Sequence, residues 1–259
     1  MVPEQRKRSS SSVERAFEFL DLVAGSGTQG ITLSDLARAC GLPVSTCHRY
    51  VTTLLNLGAL SRDSSGRFFL GLRLVTLSQA SLAANSLRSV ARSQLEQLAQ
   101  LTGETVHLGL HTDHGIVYID KIDSDKSVRL VSRIGSVVPH YCTAMGKAVL
   151  ATLSPSERAP FLAAATQAHT AYTLTGAALE QELQTVAGRR WAIDEQEHEE
   201  GVRCLGAAIA SSSGELLGAV SVSGPAARFS RQYCVELAPT LLAAADAIGH
   251  QASWPHPIE

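Results

Sequence analysis

Residues 32–58 constrain the fold of this chain more than any other stretch. Thr32-Leu33-Ser34-Asp35 opens a short helix that turns Leu33, Leu36 and Ala37 inward and ends at Cys40-Gly41. Gly41-Leu42-Pro43 breaks the chain. Pro43, whose fixed φ suits a first helical position, then starts a helix that runs to about Leu57, with Gly58 as its C-terminal cap. Two short helices joined by a few residues that include a glycine predict a helix-turn-helix. Directly after it, Ala59–Arg62 and Arg67–Leu70 flank Asp63-Ser64-Ser65-Gly66, the pattern of a hairpin. A capping box at Ser11-Ser12-Val13-Glu14 supplies a preceding helix, so residues 11–73 read as a winged helix.

In that first helix Val13, Phe17, Leu20 and Ala24 recur at the helical period and predict its core face. Phe19 and Leu22 then lie off the core and call for a second copy of the chain to cover them. A homodimer or a dimer of dimers is therefore expected.

With about 100° per residue, the third helix places Cys47, Tyr50, Val51, Leu54 and Leu55 on its core side. The opposite side carries Ser45, Arg49, Thr52 and Asn56, flanked by Thr46, His48 and Thr53. It has hydroxyls, a guanidinium, an amide and an imidazole, and no acid. An ordinary solvated face would mix in Glu and Asp; this one suits a DNA groove, where Arg takes guanine O6 and N7 and hydroxyls serve bases or phosphates. Arg62 and Arg67 in the wing are candidates for phosphate or minor-groove contact, with plain solubility as the alternative.

Charge distribution points the same way. Residues 1–73 hold nine Lys/Arg and six Asp/Glu, a balance of +3, and the other 186 hold thirteen and eighteen, a balance of −5. A basic head on an acidic body fits a nucleic-acid-binding module joined to another domain. No apolar run approaches the ~18 residues of a membrane span. The N-terminal Arg6-Lys7-Arg8 and serines precede no apolar segment of the secretory kind. Five scattered cysteines, without paired short spacings, read as reduced thiols of a cytoplasmic protein.

Beyond the wing, Leu72–Ala84 and Leu87–Leu101 read as helices. Thr105–His111, Ile116–Ile122, Val128–Val131, Cys204–Ala210 and Glu215–Val222 read as strands. Ala144–Leu153, Pro155–Ala165, Ala177–Arg190 and Arg231–Ile248 read as further helices. Hairpins plus helices without regular alternation predict an α+β domain. The expected division is a disordered tail at 1–10, a winged helix at 11–73, a linker helix at 74–86, the α+β domain at 87–252 and a tail at 253–259.

In that domain Ser221 and Ser223 share one face of a strand, Thr143-Ala144-Met145-Gly146 opens a helix with free N–H groups, Cys204 lies on a neighbouring strand, and Asp194 can accept. With Val128, Leu130 and Val138 as an apolar wall, this is the mix of a small-ligand pocket. The bland alternative is a solvated serine face and a buried hydrophobic cysteine.

Leu42-Pro43-Val44-Ser45-Thr46-Cys47-His48-Arg49-Tyr50 resembles the recognition-helix segment of the IclR family of bacterial transcription regulators. Further family-like blocks follow in order: Val106–Leu110, Val128–Gly135, Cys142–Ala148, Ala192-Ile193-Asp194 with Glu197–Cys204, and Ser221–Pro225. They cover residues 11 to about 250. The resemblance implies a GAF-like effector-binding domain contacting its ligand through the backbone of Ala144 and Met145, the side chains of Asp194, Cys204, Ser221 and Ser223, and the apolar Leu130. It also implies small organic acids or aromatic catabolites as effectors, association through the DNA-binding and linker helices, and an operator as the macromolecular partner. Neither a cofactor nor a metal is called for.

An enzyme reading uses the same region differently. Cys142 or Cys204 with His140 or His198 would form a thiol–imidazole pair, in an enzyme domain fused to a DNA-targeting head. Asp194, Glu195, Glu197, Glu199 and Glu200 are carboxylates for acid–base work, or more simply an exposed turn. His107, His111 and His114 invite a metal reading, but His107 and His111 share a strand face ~13 Å apart, too far to hold one ion directly.

Overall fold

The computed structural model describes residues 11–252; the tails expected at 1–10 and 253–259 lie outside them. The chain divides into two compact units between Ala84 and Asn85.

The first unit holds α1 (Ser12–Gly25), a 3-10 turn at Gly27–Gln29, α2 (Leu33–Cys40), α3 (Val44–Asn56), the β1–β2 hairpin (Leu60–Arg62, Phe68–Leu70) and α4 (Leu72–Ala84). Both halves of the Ser11/Glu14 capping box form, and Thr32 caps α2 by accepting the Asp35 N–H. Gly41 closes α2 in the left-handed conformation (φ 64°), which a β-carbon would oppose. Pro43 lies one residue before α3, in the N-cap position.

The core face of α1 is not the predicted one. Phe19 and Val23 are buried and Leu22 is half-buried, whereas Val13 and Phe17 are 63% and 62% exposed and Ala24 faces solvent. Two apolar stripes run along α1, and periodicity cannot choose between them. The Phe19 ring settles it by stacking on Tyr50 of α3, with centroids 5.2 Å apart. The apolar surface left over for a partner is therefore Val13 and Phe17, and not Phe19 and Leu22.

The second unit contains α5 (Ser86–Thr102), β3 (Thr105–Thr112), β4 (Gly115–Ile122), β5 (Val137–Val138), α6 (Ala144–Leu150), α7 (Pro155–Ala164), α8 (Gly176–Arg189), β6 (Trp191–Glu195), β7 (Val202–Ala210), β8 (Leu216–Pro225) and α9 (Arg231–Gln251). Its six strands form one antiparallel sheet in the order β5-β4-β3-β8-β7-β6. α5 and α9 pack together on one face of it, α6 on the other.

Val128–Val131 is not a strand: Val128 and Val131 are exposed and the segment pairs with no neighbour. Its alternation reflects a surface loop tied down through single polar contacts, Arg228 to the Val128 carbonyl and His107 to Ser132. β6 has no counterpart in the sequence reading, and the helix expected to reach Leu153 ends at Leu150.

Candidate functional site

Two surfaces carry the chemistry, one in each unit. On α3, Cys47, Val51 and Leu54 turn into the core, and Ser45, His48, Arg49 and Thr52 turn to solvent with Thr46 half-buried beside them. The helix carries no carboxylate side chain. In the wing, Asp63 orders the turn by accepting the Arg67 N–H (2.8 Å) and the Ser65 hydroxyl (2.8 Å). Arg62 lies over the Phe68 ring, 5.7 Å from its centroid. Arg67 donates to the carbonyls of Gln29 (3.4 Å) and Gly30 (3.2 Å), so part of its guanidinium ties the wing to the 3-10 turn.

In the second unit the sheet register does what sequence distance conceals. Asp194 of β6 pairs with Cys204 of β7, Cys204 with Ser223 of β8, and Ser221 with Gly206. These positions form adjacent rows on the face that α6 covers. The helix sits close to the strands because Gly206 permits it, a β-carbon there lying 2.6 Å from the Ala144 carbonyl carbon, and Gly146 lets the preceding loop fold against α6, where a β-carbon would lie 2.2 Å from the His140 oxygen. Thr143 caps α6, accepting the Gly146 N–H at 3.1 Å and donating to the Pro139 carbonyl.

Leu130, Ala144, Met145, Asp194, Cys204, Ser221 and Ser223 all come together in the wall of one small cavity of about 30 Å3. Tyr118, Thr143, His198, Glu199 and Val202 complete it. Val128 does not take part, being exposed, and Val138 packs away from it against Ile116 and Val149. Larger cavities, of about 350 Å3 between α1 and α3 and about 540 Å3 beside Phe161, lack this convergence of directed polar groups.

The acidic run at 194–200 is more than an exposed turn. Asp194 and Glu197 are 3% and 2% exposed. Asp194 Oδ1 accepts the Glu197 N–H at 2.7 Å and the His198 N–H at 3.4 Å. Glu197 is ion-paired with Lys147 of α6, itself 1% exposed. Burial lifts the Asp194 carboxyl to about 7, even though the Glu197 amide pulls it down. His198 and Glu199, singled out in the sequence only as an imidazole and a carboxylate of the enzyme reading, line the same cavity; nothing in the sequence pattern marks Tyr118.

The thiol–imidazole reading finds no support in the state of the two thiols. Burial, reinforced by Asp194, pushes the Cys142 thiol up to about 12 and Cys204 well above its ordinary value, the reverse of what a nucleophile needs. His140 Nε2 is hydrogen-bonded to His111 Nδ1 at 2.9 Å. His107 is fully buried, stacked on Tyr118 and bonded to Ser132 at 2.7 Å. Among the described residues no group of three His, Cys, Asp or Glu side chains is placed to hold a metal.

The IclR helix-turn-helix model matches residues 12–64, and the model of the bacterial transcriptional regulator IclR C-terminal domain matches residues 79–250. The transcriptional regulator KdgR of Escherichia coli K12 is 33% identical over 97% of this chain and 96% of its own length. The crystal structure of Thermotoga maritima IclR is 31% identical with a TM-score of 0.69, covering 92% of this chain and 96% of that one. An IclR homologue from Microbacterium hydrocarbonoxydans, crystallised with 4-hydroxybenzoate, shares the fold at 23% identity and TM-score 0.72, over 90% of this chain and 97% of its own. The helix-turn-helix with its acid-free face and the polar-lined pocket in the α+β unit thus fall within one shared architecture. This chain belongs to the IclR family of bacterial transcriptional regulators, with the family's helix-turn-helix DNA-binding domain.

Proposed function

We propose that α3 reads an operator through Ser45, Thr46, His48, Arg49 and Thr52 while the wing contacts the backbone or minor groove through Arg62 and the free N–H groups of Arg67. The acid-free face of α3 supports this, because phosphate repels carboxylates and Arg pairs bidentately with guanine. A small organic effector, a carboxylate or a small aromatic, occupies the cavity beneath α6 and changes operator affinity. The observation that carries this reading is the assembly of Asp194, Cys204, Ser221 and Ser223 from three strands against the start of α6. A coupling of ~1–3 kcal/mol between the two sites gives a ~5–150-fold change in affinity.

The active species is a homodimer or a dimer of dimers, which sets two reading helices about one DNA turn apart. Support comes from apolar side chains left in solvent: Val13 and Phe17 on α1, and Leu72, Val75 and Leu77 on α4. The protein works in the cytoplasm as a regulator rather than an enzyme, in keeping with the regulators it resembles. No helix among the described residues is long and apolar enough to cross a membrane.

The test is a selection of bound sites from a random duplex library by the wild type and by Arg49→Ala. Loss of ~1–3 kcal/mol with relaxed preference at one base position is expected. An unchanged site preference would assign Arg49 to phosphate alone. A thermal-shift screen of small carboxylates and hydroxybenzoates on the same protein tests the pocket, since a true ligand stabilises in proportion to the logarithm of its concentration.

A further inference from the structure

The cavity beneath α6 has an unexpected charge pattern for a site that takes organic acids. No Lys or Arg side chain lines it, yet Asp194 and Glu199 do. The nearest buried cation, Lys147, is already committed to Glu197. Arg203 and Arg231 pair with Glu195. The other ionisable groups facing Asp194 add little positive charge: burial disfavours the protonated form of His198, and holds Tyr118 and Cys204 up and hence protonated. Cys142, behind the start of α6, is protonated for the same reason. With two N–H groups on Oδ1, Asp194 has only Oδ2 left to present to the cavity. An incoming carboxylate would meet a buried carboxylate with only the backbone N–H groups at the start of α6, and no full positive charge, to offset the repulsion.

We propose that the pocket admits an acidic effector together with one proton, which Asp194 holds. The neutral carboxyl then donates from Oδ2 to the ligand, and the serine hydroxyls of Ser221 and Ser223 serve the ligand's other oxygen atoms. The proton comes from solvent, no bond to carbon forms or breaks, and the bound complex carries no additional negative charge. The raised affinity of the buried Asp194 carboxyl for a proton, at about 7, places the change inside the physiological range. This inference rests on the cavity being the effector site.

The experiment is calorimetric titration of the full chain with glycolate, pyruvate and benzoate between pH 6 and 9, in buffers of different ionisation heat. Affinity should fall by about tenfold per pH unit above pH 7, with up to one proton taken up. The neutral amides of the same acids should bind without that slope. Asp194→Asn, which mimics the protonated carboxyl, should bind the acids independently of pH and at pH 9 more tightly than the wild type. Loss of the acids at every pH in Asp194→Asn, or acid binding by the wild type without proton uptake, overturns the proposal. So does binding of the amides with no binding of the acids at pH 6. In the ligand-free protein, carboxyl 13C resonances assigned by Asp194→Asn should show Asp194 titrating near neutrality, and titration below pH 5 refutes the proposal whatever the ligand. Failure of the pocket reading looks different: acid binding would then survive in the Ser221→Ala, Ser223→Ala double variant.

Discussion

Replacing Lys147 by Met tests how the pocket is held together. Lys147 and Glu197 are 1% and 3% exposed in their side chains and ion-paired, so the substitution leaves a buried carboxylate without its cation. Removing one partner of such a pair costs ~3–5 kcal/mol, whereas removing both is near neutral. For a unit of this size the loss should lower Tm by roughly 6–20 °C. Trp191 on β6, with Arg189 stacked 4.0 Å from its ring centroid, reports unfolding of the same strand that carries Asp194. A Trp254→Phe background leaves Trp191 as the sole indole. At pH 8 Lys147→Met should show the full loss in urea titrations followed by Trp191 fluorescence. Burial raises the proton affinity of Glu197, so the deficit should shrink as the pH is lowered and that carboxylate is neutralised. Adding Glu197→Gln should restore most of the stability. A cost below ~1 kcal/mol, or a double variant as unstable as the single one, would refute the reasoning.

Phe19→Ala should destabilise the DNA-binding unit by ~3–5 kcal/mol and slow-exchanging amides of α3 should lose protection, because Phe19 is fully buried against Tyr50. Val13→Glu with Phe17→Glu should leave that unit folded yet give a smaller species by light scattering and weaker binding to a two-half-site operator; unchanged mass would place the self-contact elsewhere. His140, held down to about 4 by burial and by His111, stays neutral in the fold while the unfolded chain protonates near 6.5. Its contribution to stability is therefore present above pH 6.5 and lost as pH falls toward 4, and His140→Asn should flatten the acid limb of a stability–pH profile; an unaltered limb would show that His140 is not among its causes.

The third helix was legible in the sequence because each of its signals is local. The Thr32 cap, the left-handed Gly41 and the period placing Cys47, Val51 and Leu54 inward all lie within a few turns of one another. The pocket residues emerged from paired serines, a helix start and a family resemblance, but their convergence depends on register. Asp194, Cys204 and Ser223 meet only because β6, β7 and β8 pair antiparallel in one order. Where local signals were ambiguous, tertiary packing decided. α1 carries two apolar stripes, and only contact with α3 tells them apart. The 194–200 acids look like a solvated turn in sequence, yet Lys147, some fifty residues earlier, provides a buried cation for Glu197. The Val128–Val131 alternation has the period of a strand but no strand beside it.

The central claim is that the cavity beneath α6 governs operator affinity. The most direct test is a fluorescence-anisotropy titration of the selected operator with wild type and with Ser221→Ala, Ser223→Ala, each across a range of a ligand that stabilises the wild type in the thermal-shift screen. Both changes remove only hydroxyls from side chains that are 3% and 2% exposed. The account predicts equal operator affinity without ligand, a ~5–150-fold ligand-dependent change in the wild type and none in the double variant. A double variant that responds as the wild type does, or that fails to bind the operator without ligand, would contradict it.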